Sequence, residues 1–191
     1  MSALSHAALS HADLSAVSPW VARFAPLVKA GGRVLDVACG GGRHALYFAA
    51  RGCVVDAVDR DADALARLAG APGVTAKQAD IENAAWPYAD LRFDAIVVTN
   101  YLHRPLLPLL AAGLAPGGVL IYETFARGNE SYGRPSNPAF LLAPGELLAL
   151  AGEAGLQVAA YEHGRIDTPK PAVVQRLAAL RVPAAPAVPG A

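Results

Sequence analysis

Apolar residues recur along this chain in two alternating rhythms. Runs such as DAIVVT and GVLIYETF are apolar at consecutive positions, while the stretches between them carry apolar residues three and four apart. The first rhythm suits strands covered on both faces of a sheet, the second suits helices with one buried side. Strands are predicted over Arg33–Val37, Val54–Val58, Val74–Gln78, Phe93–Thr99, Val119–Phe125, Leu156–Tyr161 and Val173–Leu180. Helices are predicted near Arg43–Arg51, Asp61–Leu68, Leu106–Leu114 and Glu146–Gly152. A further helix opens at Ser18-Pro19, with serine as cap and proline in the first turn. Trp20, Phe24, Leu27 and Val28 follow at helical spacing, and Gly31-Gly32 end it. Strict alternation of strand and helix predicts an α/β fold, a doubly wound, mostly parallel seven-stranded sheet with helices on both faces and an antiparallel last strand.

The two ends break the rhythm. Residues 1–17 form an Ala/Ser/His-rich segment expected to be flexible, and the Pro/Ala tail over 182–191 is expected to be disordered, leaving one domain over 18–181. The chain has 191 residues, 54% hydrophobic and 17% charged, which excludes a disordered polymer. Sixteen basic and sixteen acidic residues cancel, and no Lys/Arg run advertises a nucleic-acid partner. Cys39 and Cys53 are too few for a disulfide framework or a zinc site, so no metal is expected. No apolar run reaches the ~18 residues of a membrane span, and no secretory signal opens the chain, so the expected location is cytoplasmic.

One stretch changes this picture. LDVACGGGRHALYF, residues 35–48, passes from a strand through three glycines into a helix. In a doubly wound sheet, ligands sit at the carboxyl ends of strands. Glycines there let a ligand approach the backbone and permit positive φ, and the helix start favours an anionic group. The next strand ends in Asp59, whose carboxylate is placed to accept both hydroxyls of a ribose. Two readings compete. Gly40-x-Gly42-x-x-Ala45 fits the dinucleotide fingerprint of a nicotinamide-dependent oxidoreductase. Asp36, four residues before Gly40, would repel a pyrophosphate and suit a cation or an amino group. A ribose and adenine at one end and a cationic amino acid at the other describe S-adenosylmethionine.

LDVACGGG also resembles the first motif of class I S-adenosylmethionine-dependent methyltransferases, usually Asp-x-Gly-x-Gly-x-Gly. Asp36, Gly40 and Gly42 match it, and Ala38 replaces its first glycine. VDAVD, ending in Asp59, resembles the second motif and AKQADIE the third, with Asp80 and Ile81 at the adenine positions. AIVVTNYLHR fits the fourth, and APGGVLIYETF is similar to the hairpin that enters strand five. The resemblance covers about residues 18–180. It implies a Rossmann-like fold, S-adenosylmethionine as cofactor and methyl transfer by in-line displacement. Small stand-alone bacterial enzymes of the tellurite-resistance and thiopurine types are the most similar in size, which implies a small-molecule acceptor.

The resemblance assigns Asp36, Ala38, Gly40, Gly42, Arg43, Asp59, Asp80, Ile81 and Asn100 to the cofactor. Arg43 would meet the cofactor carboxylate unless it is a solvated surface residue. Residues after strand four are candidates to face the acceptor. His103 is a general base or a packing histidine, and Tyr101 walls the methyl site or packs on the sheet. Glu123 is a base, an acceptor ligand or a partner for Arg104. Asn-Tyr-Leu-His after strand four departs from the Asn-Pro-Pro-Tyr of amide and nucleobase-amine methylators. Cys39 reads as a buried filler, and Trp20 and Phe24 as core that also closes over the cofactor. ARGNESYGRPSNPAF, residues 126–140, is long and lacks apolar periodicity, so it is expected to be an acceptor-covering loop carrying Arg127, Tyr132 and Arg134. Besides the oxidoreductase, an RNA or protein methyltransferase and a non-catalytic protein of the same fold remain as alternatives. The residues say nothing about oligomeric state.

Overall fold

The computed structural model describes residues 16–183. The N-terminal segment up to residue 15 and the tail from residue 184, expected to be flexible and disordered, lie outside the described residues. Ala16 and Val17 are inside them, and Val17 packs against the core.

The strands are β1 Arg33–Val37, β2 Val54–Asp59, β3 Val74–Gln78, β4 Phe93–Thr99, β5 Leu114–Phe125, β6 Gln157–Ile166 and β7 Ala172–Leu180. The helices are α1 Pro19–Phe24, α2 Arg43–Ala50, α3 Ala62–Leu65, α4 Leu107–Ala112 and α5 Glu146–Glu153. All seven expected strands and all five expected helices are present, with α3 and α4 flanked by single 3-10 turns. Ser18 caps α1, its hydroxyl accepting from the N–H groups of Trp20 and Val21.

Strand order is β3-β2-β1-β4-β5-β7-β6. β1 to β5 pair in parallel, and β7 runs antiparallel to both β5 and β6. Order reverses between β1 and β4, which opens a crevice at their carboxyl ends, the place where such sheets bind ligands.

The central strands β1, β2, β4, β5 and β7 are buried on both faces. On one side Val34, Val55, Val97 and Ile121 meet Trp20, Val21, Ala45, Phe48 and Leu65 from α1, α2 and α3. On the other, Leu35, Ile96, Val98 and Leu120 meet Leu107, Leu110, Leu147 and Leu150 from α4 and α5. Trp20 and Phe24 stack within this packing, ring centroids 4.5 Å apart. β6 runs five residues beyond its expected end at Tyr161. It is an edge strand with both faces largely exposed, so EHGRI carries no apolar alternation to read.

Candidate active site

The loop after β1 is bent by three residues in the left-handed region, Ala38, Gly40 and Gly42. Gly42, at φ 75°, leaves no room for a side chain, since a Cβ there would lie 2.3 Å from Leu68. Gly40 is the opposite case. At φ 54° it has nothing within 4 Å of a Cβ position, so its surface is bare.

Three carboxylates brace this half of the sheet. Asp36 is 1% exposed, and its Oδ2 accepts from the Ala45 N–H at 2.9 Å, pinning the first turn of α2 to β1. Burial raises its pKa to about 7, against the lowering effect of that hydrogen bond and of Arg43. That hydrogen bond uses one of its two carboxylate oxygens. Asp36 therefore titrates near neutral pH rather than in the ordinary carboxylate range. Asp59 accepts from the Gly40 N–H at 2.8 Å through one oxygen and from the Asp61 N–H at 2.9 Å through the other. It stands at the end of β2, half-buried, with lone pairs left for a ligand. Asp80 accepts from the N–H groups of Glu82 and Asn83 and from the Asn83 side chain. Those hydrogen bonds, the Asn83 amide first, hold it below the usual carboxylate range. Ile81 beside it is buried, and Asn100 at the end of β4 is exposed, at φ 56°.

On the other side of the crevice lies a cavity of about 950 Å³. Ala16–Pro19, Arg43 and Asn100 form one wall, and the strand ends at Glu123, Phe125, Val174 and Arg176 form its floor. Residues 134–137 with Phe140, and the β6–β7 connection from Ile166 to Ala172, close the far side. The expected acceptor-covering loop is thus a folded element. Asn129, 2% exposed, ties it down by accepting from the Val173 N–H at 3.2 Å and donating to the Pro135 carbonyl at 2.9 Å.

The family model described as a methyltransferase domain matches residues 9–170. The chain belongs to this methyltransferase family. Among solved structures, TehB from Haemophilus influenzae is similar, with a TM-score of 0.74 and 18% identity over 86% of this chain. The match spans 62% of that protein. An S-adenosylmethionine-dependent methyltransferase from Mesorhizobium loti matches with a TM-score of 0.66 and 17% identity, covering 86% of this chain and 99% of the other. The glycopeptide N-methyltransferase MtfA, complexed with S-adenosylhomocysteine, matches with a TM-score of 0.58 and 22% identity, over 84% and 88% of the two chains. No curated protein matches the sequence. The class I fold expected from the sequence is therefore the fold of this methyltransferase.

Glu123 and Arg104, two of the candidate residues, make structural contacts. Glu123 is held by Arg176 and accepts from the Ser18 hydroxyl at 2.9 Å, and it does not meet Arg104. Arg104 instead forks onto Glu146 at 2.6 and 3.0 Å and donates to the carbonyls of Ala139 and Leu141. Burial alone would raise the Glu146 pKa, but the hydrogen bonds from Arg104 and Ala143 pull it below its ordinary value. His103 is half-buried at the start of the turn before α4 and is not among the cavity-lining residues. Tyr101 is half-buried, its hydroxyl hidden and without a hydrogen-bond partner. Burial, with Glu82 nearby, pushes it above the usual tyrosine range. Arg127 and Tyr132 are exposed, the latter under the Arg165 guanidinium, and only Arg134 of the three lines the cavity. Cys39 is buried, its thiol pushed up by burial. Among the described residues no cluster of three His, Cys, Asp or Glu side chains is placed to hold a metal, and no helix is long and apolar enough to cross a membrane.

The sequence reading passed over His44. It is 1% exposed, accepts from the Ser18 N–H at 3.2 Å through Nε2, and faces the Thr99 hydroxyl at 3.4 Å through Nδ1. Burial, assisted by Arg43, lowers its pKa to about 3, so it stays neutral. Neutral His44 and Glu123 together clamp the start of α1 across the crevice. The signal was available: His44 shares the buried face of α2 with Ala45 and Phe48, and a polar residue on such a face needs partners.

Proposed function

We propose that this methyltransferase transfers the methyl group of S-adenosylmethionine to a small molecule held in the cavity between the β4 and β5 ends and the 126–140 loop. The cavity itself carries the reading. Its volume of about 950 Å³ lies within the range of small-molecule sites, and it opens beside the glycine loop.

The residues present fit the cofactor. Gly40 offers bare backbone, Asp59 a carboxylate for the ribose hydroxyls, Asp80 and Ile81 a polar and an apolar contact for the adenine, and Ala38, Gly42 and Asn100 the bends that bring these together. Arg43 stands at the cavity wall on the cofactor side, within reach of a carboxylate. When bound, S-adenosylmethionine supplies an electrophilic methyl group on a sulfonium. The protein's part is to hold the acceptor in line with it. Positioning of this kind is worth up to ~7–11 kcal/mol. Glu123, already shared by Arg176 and Ser18, serves as a positioning group at the cavity floor. Arg134 meets the acceptor from the far side, while Tyr101 and His103, outside the cavity lining, take no part in holding it.

Thermal-shift titration with S-adenosylmethionine, S-adenosylhomocysteine and NAD tests the cofactor assignment. A ligand at a hundred times its Kd adds about 2.7 kcal/mol, which raises Tm by about 5–11 °C in a domain of this size. The two adenosyl ligands are expected to give this shift and NAD none. Asp59→Ala is expected to weaken S-adenosylhomocysteine by about 1.5–3 kcal/mol, the scale of a hydrogen bond to a charged group. Unchanged affinity would place the ribose elsewhere.

A further inference from the structure

Resting on the methyltransferase reading of the cavity, we propose that its acceptor is an amphipathic organic acid, a carboxylate on an apolar body, anchored by Arg134 and Lys170. The cavity wall divides by chemistry. Phe125, Phe140, Ile166, Pro135 and Val174 give it an apolar lining too extended for an inorganic oxyanion, which would leave those surfaces uncovered. Against that lining stand two cations with no carboxylate partner among the described residues, Arg134 and Lys170. Lys170 rests its ammonium 5.8 Å from the Phe125 ring centre, beside the apolar surface.

The acid that could neutralise them is otherwise engaged. Glu123 is the only carboxylate among the described lining residues, and Arg176 and Ser18 already hold it. Lys170, half-buried beside Phe125, attracts a counter-charge more strongly than it would in open water, whereas Arg134 is exposed and contributes through its fork. Arginine's planar fork matches a carboxylate, and lysine adds a point charge from a second direction.

Topology assigns these cations to the acceptor. The glycine loop and Asp59 stand at the ends of β1 and β2. Arg134 comes from the loop after β5 and Lys170 from the β6–β7 connection, on the other side of the sheet's reversal point. Arg43, on α2 next to the glycine loop, is the cation on the cofactor side.

Isothermal titration of the full chain saturated with S-adenosylhomocysteine tests this. The probes are matched acids and amides of growing size: benzoate and benzamide, cinnamate and cinnamamide, indole-3-acetate and its amide. At least one acid is expected to bind, with its amide roughly tenfold or more weaker. Arg134→Ala and Lys170→Ala should each cost that acid roughly tenfold, with the Kd for S-adenosylhomocysteine unchanged and partial recovery in Arg134→Lys. Acids that bind no better than their amides across the panel would overturn the proposal. So would alanine variants that weaken S-adenosylhomocysteine instead, since the cations would then belong to the cofactor. A wild-type chain that fails to bind S-adenosylhomocysteine overturns the cofactor reading, and this proposal with it.

Discussion

The two halves of this sheet solve the same problem in different ways. Around β1, β2 and β3, carboxylates brace backbone close to them in the chain. Asp80 caps residues 82 and 83, Asp36 reaches Ala45 and Asp59 reaches Gly40. Around β5, β6 and β7, the joints span far longer separations: Arg104 to Glu146, Asn129 to Val173, Glu123 to Arg176 and Ser18. The first half sets short turns around the glycine loop and adds a long-range tie, Asp94 accepting from the Arg33 N–H and pairing with Lys29. The second is a long loop fastened at a few distant points, so it can vary without disturbing the first.

The largest expected effect lies in the first half. Folded Asp36 keeps its proton up to about pH 7, whereas the unfolded chain releases it near 3.8, the ordinary value for an aspartate. Between those limits the folded state binds more protons, so this contribution to stability is present at low pH and lost as pH rises. Asp36→Asn removes that slope. The stability difference between wild type and Asp36→Asn should change by about 4 kcal/mol between pH 4 and pH 8, read by urea unfolding at several pH values. His44 slopes the other way below its unfolded pKa but contributes equally to both proteins, so it cancels. A pH-independent difference would show that Asp36 titrates normally and that the first half is not built on a buried carboxyl.

Next comes Gly42→Ala. A Cβ at 2.3 Å from buried Leu68, on a left-handed residue, should cost about 3 kcal/mol in chemical denaturation. Cofactor affinity should fall with it. A neutral outcome would mean that the glycine loop yields easily, which removes the contrast between the halves.

Asn129→Ala attacks the second half. It strips partners from the Val173 N–H and the Pro135 carbonyl and should cost about 2 kcal/mol. Limited proteolysis should then cut within residues 126–140, with S-adenosylhomocysteine binding retained. If cofactor binding fell as much as loop stability, the halves would be coupled. Arg127→Ala is the smallest. The residue is exposed and outside the cavity, so stability should stay within about 0.5 kcal/mol. The KM for any acceptor should not move, in contrast to Arg134→Ala. A raised KM would extend the acceptor site beyond the cavity.

Sequence alone determined the strands and helices, because a sheet buried on both faces writes itself as unbroken apolar runs and the glycine loop must follow its strand. It also located Asp36, Gly40, Gly42 and Asp59 around that loop, since their spacing is set by short turns. Tertiary structure decided what those side chains touch. Asp36 accepts from the Ala45 N–H because α2 packs its first turn onto β1, and Arg104 meets Glu146 rather than Glu123 because α4 and α5 pack on one face of the sheet. The Ser18–His44–Glu123 clamp joins three segments that become neighbours only once α1 lies across β5. That Arg134 and Lys170 line one cavity was equally out of reach. Nothing local fixes where a loop after β5 stands relative to the β6–β7 connection, and only the antiparallel return of β7 beside β5 brings both to one cavity.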